Sequence, residues 1–270
     1  DPAASVWRLS VVTPAFNEAA SLPALYARLR AVLGDGAWEW IVVDDHSTDG
    51  TFAAVQDLAQ ADARVRGVRL ARNAGSHTAI TCGIRLTTGD ATVVMAADLQ
   101  DPPETIPQLV AKWRAGAQVV WAVRAAREGE PSAKLGFSRL YYALMRHVVG
   151  MKDMPGTGAD FFLVDRRVAA ALREFPESNV SLFALLTWMG YRQDRQLYVK
   201  EARRHGRSGW SLRKKMKLVV DSVTSFSYLP IRAMSAAGCA MAATGFLYAL
   251  VVVANALVGR PAQGWSSLMA

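Results

Sequence analysis

Between Arg232 and Arg260 the chain carries no charged side chain, and this interval limits the possible folds more than any other feature. At its centre lies Gly245-Phe246-Leu247-Tyr248-Ala249-Leu250-Val251-Val252-Val253-Ala254. About 20 residues of α-helix cross the roughly 30 Å hydrocarbon layer of a bilayer, so residues 233–258 can span it with some tilt. A buried core helix is the alternative, but basic residues at both ends suit headgroup anchoring. After Arg260 the chain is uncharged again, which predicts a short external turn over 260–270 and the start of a second span.

The formal net charge of +8 is concentrated just before this interval. Arg203, Arg204, Arg207, Arg213, Lys214, Lys215 and Lys217 crowd one short stretch. Near anionic lipid each such residue contributes roughly 1 kcal/mol of attraction. Nucleic acid is the other usual partner of a basic chain. Placement directly before a span favours lipid, and no nucleic-acid partner is expected. Leu212, Met216, Val219, Val220 and Val223 recur at helical spacing behind Ser211, a suitable N-cap. This predicts an amphipathic helix in the membrane interface, with a surface helix packed on its own domain as the alternative. The positive-inside rule puts the preceding domain in the cytoplasm, at the inner (plasma) membrane. No signal-like apolar run opens the chain, which agrees with that side. Cys82 and Cys239 have neither metal spacing nor a disulfide framework, and His46 and His77 lack partners spaced for zinc. Packing is the expected role of Trp188.

Upstream of residue 200 strand-like and helical patterns alternate. Apolar runs at 7–13, 38–44, 65–70, 91–97 and 118–123 are separated by helical stretches at 22–33, 52–61, 78–87 and 105–115. The alternation predicts an α/β domain with a Rossmann-like, mainly parallel sheet flanked by helices. The expected organisation is therefore a cytosolic catalytic domain over 1–200, a basic juxtamembrane region over 201–229 and a transmembrane helix over 230–259. Ligands of open α/β sheets sit beyond the carboxyl ends of the strands. The polar motifs fall there: TPAFNE from Thr13, DDHSTDGT from Asp44, RNAG from Arg72 and DLQDPPE from Asp98. Neither GxxxxGK[ST] nor GxGxxG occurs at them, which argues against a P-loop or dinucleotide site.

In this order, together with VRAAREGE, ADFFLVDRR and RRHGRSGWSLRKKMK before the span, the motifs resemble family 2 glycosyltransferases of the GT-A fold. Within that family the resemblance is to polyprenyl-phosphate glycosyltransferases, such as dolichol-phosphate mannose synthases and bactoprenol glucosyltransferases. It implies inverting transfer of one sugar from a nucleotide-sugar to polyprenyl phosphate, a hexosyltransferase type of reaction. It also implies that Pro14, Asn17 and Glu18 shape the nucleoside pocket, with Glu18 accepting from ribose hydroxyls. Either Asp44 or Asp45 binds the base edge, and the other caps or braces the loop. Arg72 and Asn73 belong to the same donor site. Asp98 and Gln100 are the implied ligands of Mg²⁺ or Mn²⁺, and Arg124 and Arg127 add charge over the diphosphate. Asp160 matches an acidic position near the reacting centre, with a structural strand-edge role as the alternative. Arg203, Arg204, Ser208 and Lys214 are candidates to grip the acceptor phosphate. One departure stands out, because Ala96 replaces the first carboxylate of the family's Asp-x-Asp. Two other readings follow: an enzyme of this fold with a non-lipid acceptor, or a catalytically silent nucleotide-sugar-binding membrane scaffold. A uridine donor is expected from the bacterial relatives, and homo-oligomers can form through apolar helices of this type.

Overall fold

The computed structural model describes residues 7–125, 160–175, 182–201 and 228–258. The expected amphipathic helix at 212–223, Arg127, Arg203, Arg204, Ser208, Lys214 and the turn after Arg260 lie outside the described residues. The chain divides into two compact units, Asp1–Ser222 and Val223–Ala270.

In the first unit the described residues build a seven-stranded sheet in the order β3-β2-β1-β4-β6-β5-β7. The strands are β1 (Leu9–Ala15), β2 (Trp38–Asp44), β3 (Val65–Arg69), β4 (Ala91–Val94), β5 (Val119–Arg124), β6 (Phe162–Asp165) and β7 (Gln193–Tyr198). Helices α1 (Leu22–Leu33), α2 (Thr51–Ala61), α3 (Ser76–Arg85) and α4 (Ile106–Arg114) join the early strands. A 3₁₀ turn at Pro103–Thr105 precedes α4, and α5 (Arg166–Glu174) and α6 (Leu182–Trp188) follow β6. All seven residues of β2 are buried, as a strand covered by helices on both faces requires. Alternate residues serve opposite faces. Val11, Trp40 and Val42 join one core with Leu25 of α1, Val55 of α2 and Leu109 of α4. Val12 and Val43 face α3, where a Cβ on Gly83 would collide with the Val12 side chain. Glycine there lets helix and sheet approach closely.

The sheet is mainly parallel, as expected, but β6 runs antiparallel to both β4 and β5. Neither β6 nor β7 stands out as a strand in the sequence. Trp188 departs from the expected packing role: it is 62% exposed at the end of α6, its ring edge-on to Phe175.

The second unit contains α7 (Leu229–Leu257), and its stretch Ile231–Leu257 has a mean hydropathy of 2.0 with none of that window buried. Phe246, Leu250 and Val251 are each at least half exposed. An apolar helix of this length matches a bilayer span.

Candidate active site

Strands β1, β2 and β3 end in register at Ala15, Asp44 and Arg69, so the loops that follow them share one rim. The first two loops are laced together. The Asn17 N–H donates to Ser47 Oγ at 2.9 Å, and Asn17 Oδ1 accepts from the Thr48 N–H at 2.9 Å. The Glu18 N–H donates to Thr51 Oγ1 at 2.8 Å, and Glu18 Oε2 accepts from Ser21 Oγ at 3.0 Å. Asn17 holds a φ of 58°, a left-handed conformation that asparagine tolerates better than most residues. Pro14 is half-buried within β1, beside Val43.

The two adjacent aspartates at the end of β2 have different surroundings. Both oxygens of Asp45 are engaged, accepting from the Ala74 N–H at 2.7 Å and the Gly75 N–H at 2.8 Å. Asp45 thereby braces the loop after β3, which carries the exposed Arg72 and Asn73. Asp44 is fully buried, and its Oδ1 accepts from the Ser47 N–H at 3.0 Å. Among the described residues its Oδ2 has no hydrogen-bond partner, although Arg69 Nε lies 3.3 Å away as an ionic neighbour. A buried carboxylate oxygen without a hydrogen bond is an uncommon and costly arrangement that a ligand donor would relieve.

The second half of the rim is acidic. Asp98 is buried, and its Oδ1 accepts from the Gln100 N–H at 3.2 Å. Between them Leu99 adopts a φ of 60° with its side chain buried. Asp101 has no exposure, and its Oδ1 accepts from the Tyr198 hydroxyl at 2.7 Å, with Lys200 Nζ at 3.4 Å. Burial pushes the Asp101 carboxyl above its ordinary range, Lys200 and Tyr198 pull against this, and the charges of Asp160 and Asp98 push the same way as burial. Asp98, Asp101 and Asp160 therefore share one electrostatic neighbourhood. Asp160 reaches it because antiparallel β6 begins where β4 ends, with Phe162 opposite Val94. Arg124, exposed at the end of β5, places positive charge near the Tyr198 hydroxyl. Burial and the neighbouring Asp101 raise that hydroxyl well above the usual tyrosine range, so it stays a donor.

Ala96 contributes its N–H to Asp101 Oδ2 at 3.5 Å and supplies no carboxylate. Among the described residues no group of three or more His, Cys, Asp or Glu side chains is gathered to hold a metal. The donor chemistry still fits a hard divalent cation, because Mg²⁺-type sites often use one or two carboxylates and take remaining ligands from substrate phosphates and water. Asp98 and Gln100 carry oxygens of that kind, beside Asp101 on which the charges of Asp98 and Asp160 act.

Sequence reasoning named Asp44, Asp45, Asp98, Gln100 and Asp160 but missed Tyr198, Lys200 and Arg69. Arg69 was legible as a strand-end cation. Tyr198 and Lys200 gave no local signal, since their partner Asp101 lies 97 residues from Tyr198 along the chain.

The family model for glycosyl transferase family 2 matches residues 10–173. A glycosyltransferase of Bacillus subtilis (strain 168) is 36% identical over 96% of this chain and 81% of its own length. The bactoprenol glucosyl transferase of Shigella phage SfX is 33% identical, covering 97% of this chain and 87% of the relative. The undecaprenyl-phosphate 4-deoxy-4-formamido-L-arabinose transferase of Yersinia pestis (strain Pestoides F) is also 33% identical, over 94% of this chain and 78% of its own. Among solved structures, glucosyl-3-phosphoglycerate synthase from Mycobacterium tuberculosis, bound to Mn²⁺, UDP and phosphoglyceric acid, superposes with a TM-score of 0.60. It shares 20% identity and covers 81% of this chain and 78% of its own. The mannosyltransferase PcManGT from Pyrobaculum calidifontis, in complex with GDP-Man and Mn²⁺, superposes with a TM-score of 0.54 at 21% identity, over 94% of this chain and 81% of its own. Matched over more than half its length by the family model and across nearly its whole length by these relatives, the chain belongs to glycosyltransferase family 2.

Proposed function

We propose that this glycosyltransferase moves one sugar from a nucleotide-sugar, with uridine as the expected base, to a polyprenyl phosphate at the cytoplasmic membrane face. The observation that carries the reading is the union in one chain of a family 2 domain and an apolar helix whose window is wholly unburied. Relatives named for bactoprenol and undecaprenyl phosphate, matching through that helix, support the acceptor. The domain over 1–200 is then cytosolic and catalytic, and 201–229 with the span over 230–259 holds it at the lipid surface.

On the donor side Asp44 Oδ2 accepts from the base edge, while Asn17 and Glu18 shape the nucleoside pocket beside it. Asp45 keeps the Arg72–Asn73 loop in place. Asp98 and Gln100 would hold a divalent cation, which when bound neutralises the departing diphosphate. Arg124 and Arg127 add positive charge there, and Asp160 positions the donor sugar or the attacking group. An acceptor phosphate is anionic near pH 7, so its oxygen attacks the anomeric carbon without a strong general base. The new carbon–oxygen bond forms as the bond to the diphosphate breaks, the nucleoside diphosphate leaves with the electron pair, and the configuration inverts. Orientation and charge carry most of the acceleration. Arg203, Arg204, Ser208 and Lys214 are proposed to hold the acceptor phosphate.

The test is nucleoside diphosphate release in detergent with Mg²⁺ or Mn²⁺, across a panel of sugar nucleotides, with and without undecaprenyl phosphate. Release that requires the lipid and one donor is expected. Release without lipid points to another acceptor, and intact nucleotide binding without release points to a silent scaffold.

A further inference from the structure

The acidic loop that carries Asp98 and Gln100 is held from outside by a segment with no assigned role. Three ties join it to the end of β7. The Tyr198 hydroxyl donates to Asp101 Oδ1 at 2.7 Å, and Lys200 Nζ lies 3.4 Å from the same oxygen. The Glu201 N–H donates to the Gln100 carbonyl at 2.9 Å. Arg28 of α1 then clasps both sides, with Nη2 at 2.6 Å from Glu104 Oε2 and 2.7 Å from Glu201 Oε1. Residues 198–201 thus run along the loop as a strap.

The loop needs such support because its conformation is strained. Leu99, between the two candidate ligands, holds a φ of 60° with its side chain buried, a conformation that branched residues adopt only when their surroundings enforce it. Within the loop the Asp98 carboxylate accepts from the Gln100 backbone N–H, which ties the Asp98 side chain to the turn that carries Gln100. Asp101, the next residue, is the anchor: wholly buried, it takes the Ala96 N–H on one oxygen and the strap on the other. Residues that orient ligands without touching the cation commonly shape its affinity.

We infer that Tyr198 and Lys200 are positioning residues, which act through Asp101 to hold Asp98 and Gln100 in the geometry that binds the divalent cation with the donor diphosphate. The inference rests on the metal-dependent reading above. It extends that reading by assigning the strap a specific effect on cation affinity, separate from its contribution to folding.

The experiment uses the full chain in detergent and reads Mn²⁺ binding directly, by the loss of the free-ion electron paramagnetic resonance signal, with UDP and with GDP. Tyr198→Phe removes only the hydroxyl, and Lys200→Met removes the charge but keeps the stem. The control is Tyr26→Phe. Tyr26 makes an equivalent bond to Asp62 Oδ2 at 2.6 Å, but Asp62 precedes β3 and so lies at the opposite edge of the sheet. Tyr198→Phe is expected to weaken Mn²⁺ binding about 10-fold or more, in the range usual for residues behind a metal ligand. Lys200→Met should act in the same direction, and Tyr26→Phe should leave the ion's affinity at the parent value. Parent-like Mn²⁺ affinity in both strap variants, with the parent binding normally, overturns the strap and leaves the metal reading standing. Equal weakening in Tyr26→Phe overturns it too, because the effect is then general destabilisation. A parent chain that binds no Mn²⁺ with either nucleotide removes the metal reading and the strap together.

Discussion

Replacing each aspartate of the Asp44–Asp45 pair by asparagine should have opposite consequences, although the two residues are neighbours of the same type. In Asp45→Asn one of the two acceptors facing Ala74 and Gly75 becomes an N–H₂ group, setting donor against donor. A hydrogen bond to a charged group contributes about 1.5–3 kcal/mol, and the loop loses at least one. In a domain of this size each kcal/mol corresponds to roughly 2–4 °C in Tm, so a fall of about 3–12 °C is expected. Asp44→Asn keeps the Oδ1 bond to Ser47 and alters only the oxygen that had no hydrogen bond. The new N–H₂ would face Arg69, whose side chain is 42% exposed and can turn to solvent, so the fall in Tm should be the smaller of the two. Nucleotide affinity should respond the other way. Losing one charge-assisted bond to the base weakens binding by about 10- to 150-fold, using 1.4 kcal/mol per decade. Thermal unfolding in detergent and calorimetric titration with UDP and GDP read the two effects separately. A parent-like Tm in Asp45→Asn beside a large drop in Asp44→Asn would refute this division of roles. Unchanged nucleotide affinity in Asp44→Asn would remove the base contact.

Three further outcomes are expected. Asp98→Asn should abolish transfer, read as nucleoside diphosphate release, while leaving Tm near the parent value because the amide oxygen still accepts from the Gln100 N–H. His77 is held neutral by burial, which pushes it down to about 4 from 6.5. The unfolded chain takes up a proton below pH 6.5 and the folded chain does not, so stability should fall from pH 6.5 to about 4 and then level off, by at most about 3 kcal/mol. In His77→Gln, which keeps an acceptor for the Leu182 N–H, denaturant unfolding across that window should show a flatter profile. Leu247→Arg, near the middle of the Ile231–Leu257 stretch, should disfavour insertion by about 3 kcal/mol and raise the carbonate-extractable fraction of the protein.

The sequence made β1 to β5 legible because each is an apolar run bounded by turn residues, and β2 is buried along its whole length. Strand β6 escaped notice because only four residues pair before α5 begins. Strand β7 is an edge, reading QDRQLY, and its exposed residues dilute the hydrophobic signal. At the site, the order of motifs located the rim, but the difference between Asp44 and Asp45 lies in the pleat, which sends successive side chains to opposite sides. Nothing in the composition of DDHSTDGT tells which carboxylate meets backbone N–H groups. The ties of Tyr198 and Lys200 to Asp101 are long-range contacts created by the fold, and no local periodicity encodes them.

The reversed direction of β6 has a consequence for how readily this architecture can change. The chain leaves the sheet after β5 and re-enters on the adjacent strand, where Trp121 pairs with Phe162 and the Ala122 N–H donates to the Phe161 carbonyl at 3.0 Å. The end of β5 and the start of β6 therefore stand side by side in the sheet. Closing a loop between fixed ends costs only about 0.6 kcal/mol for each doubling of its length. A connection between two such adjacent points can change length without altering the register of β5 on β6. The pairings of β1, β2 and β3, which carry the Asn17 and Asp44 loops, are separate from that junction, so a change there need not disturb them.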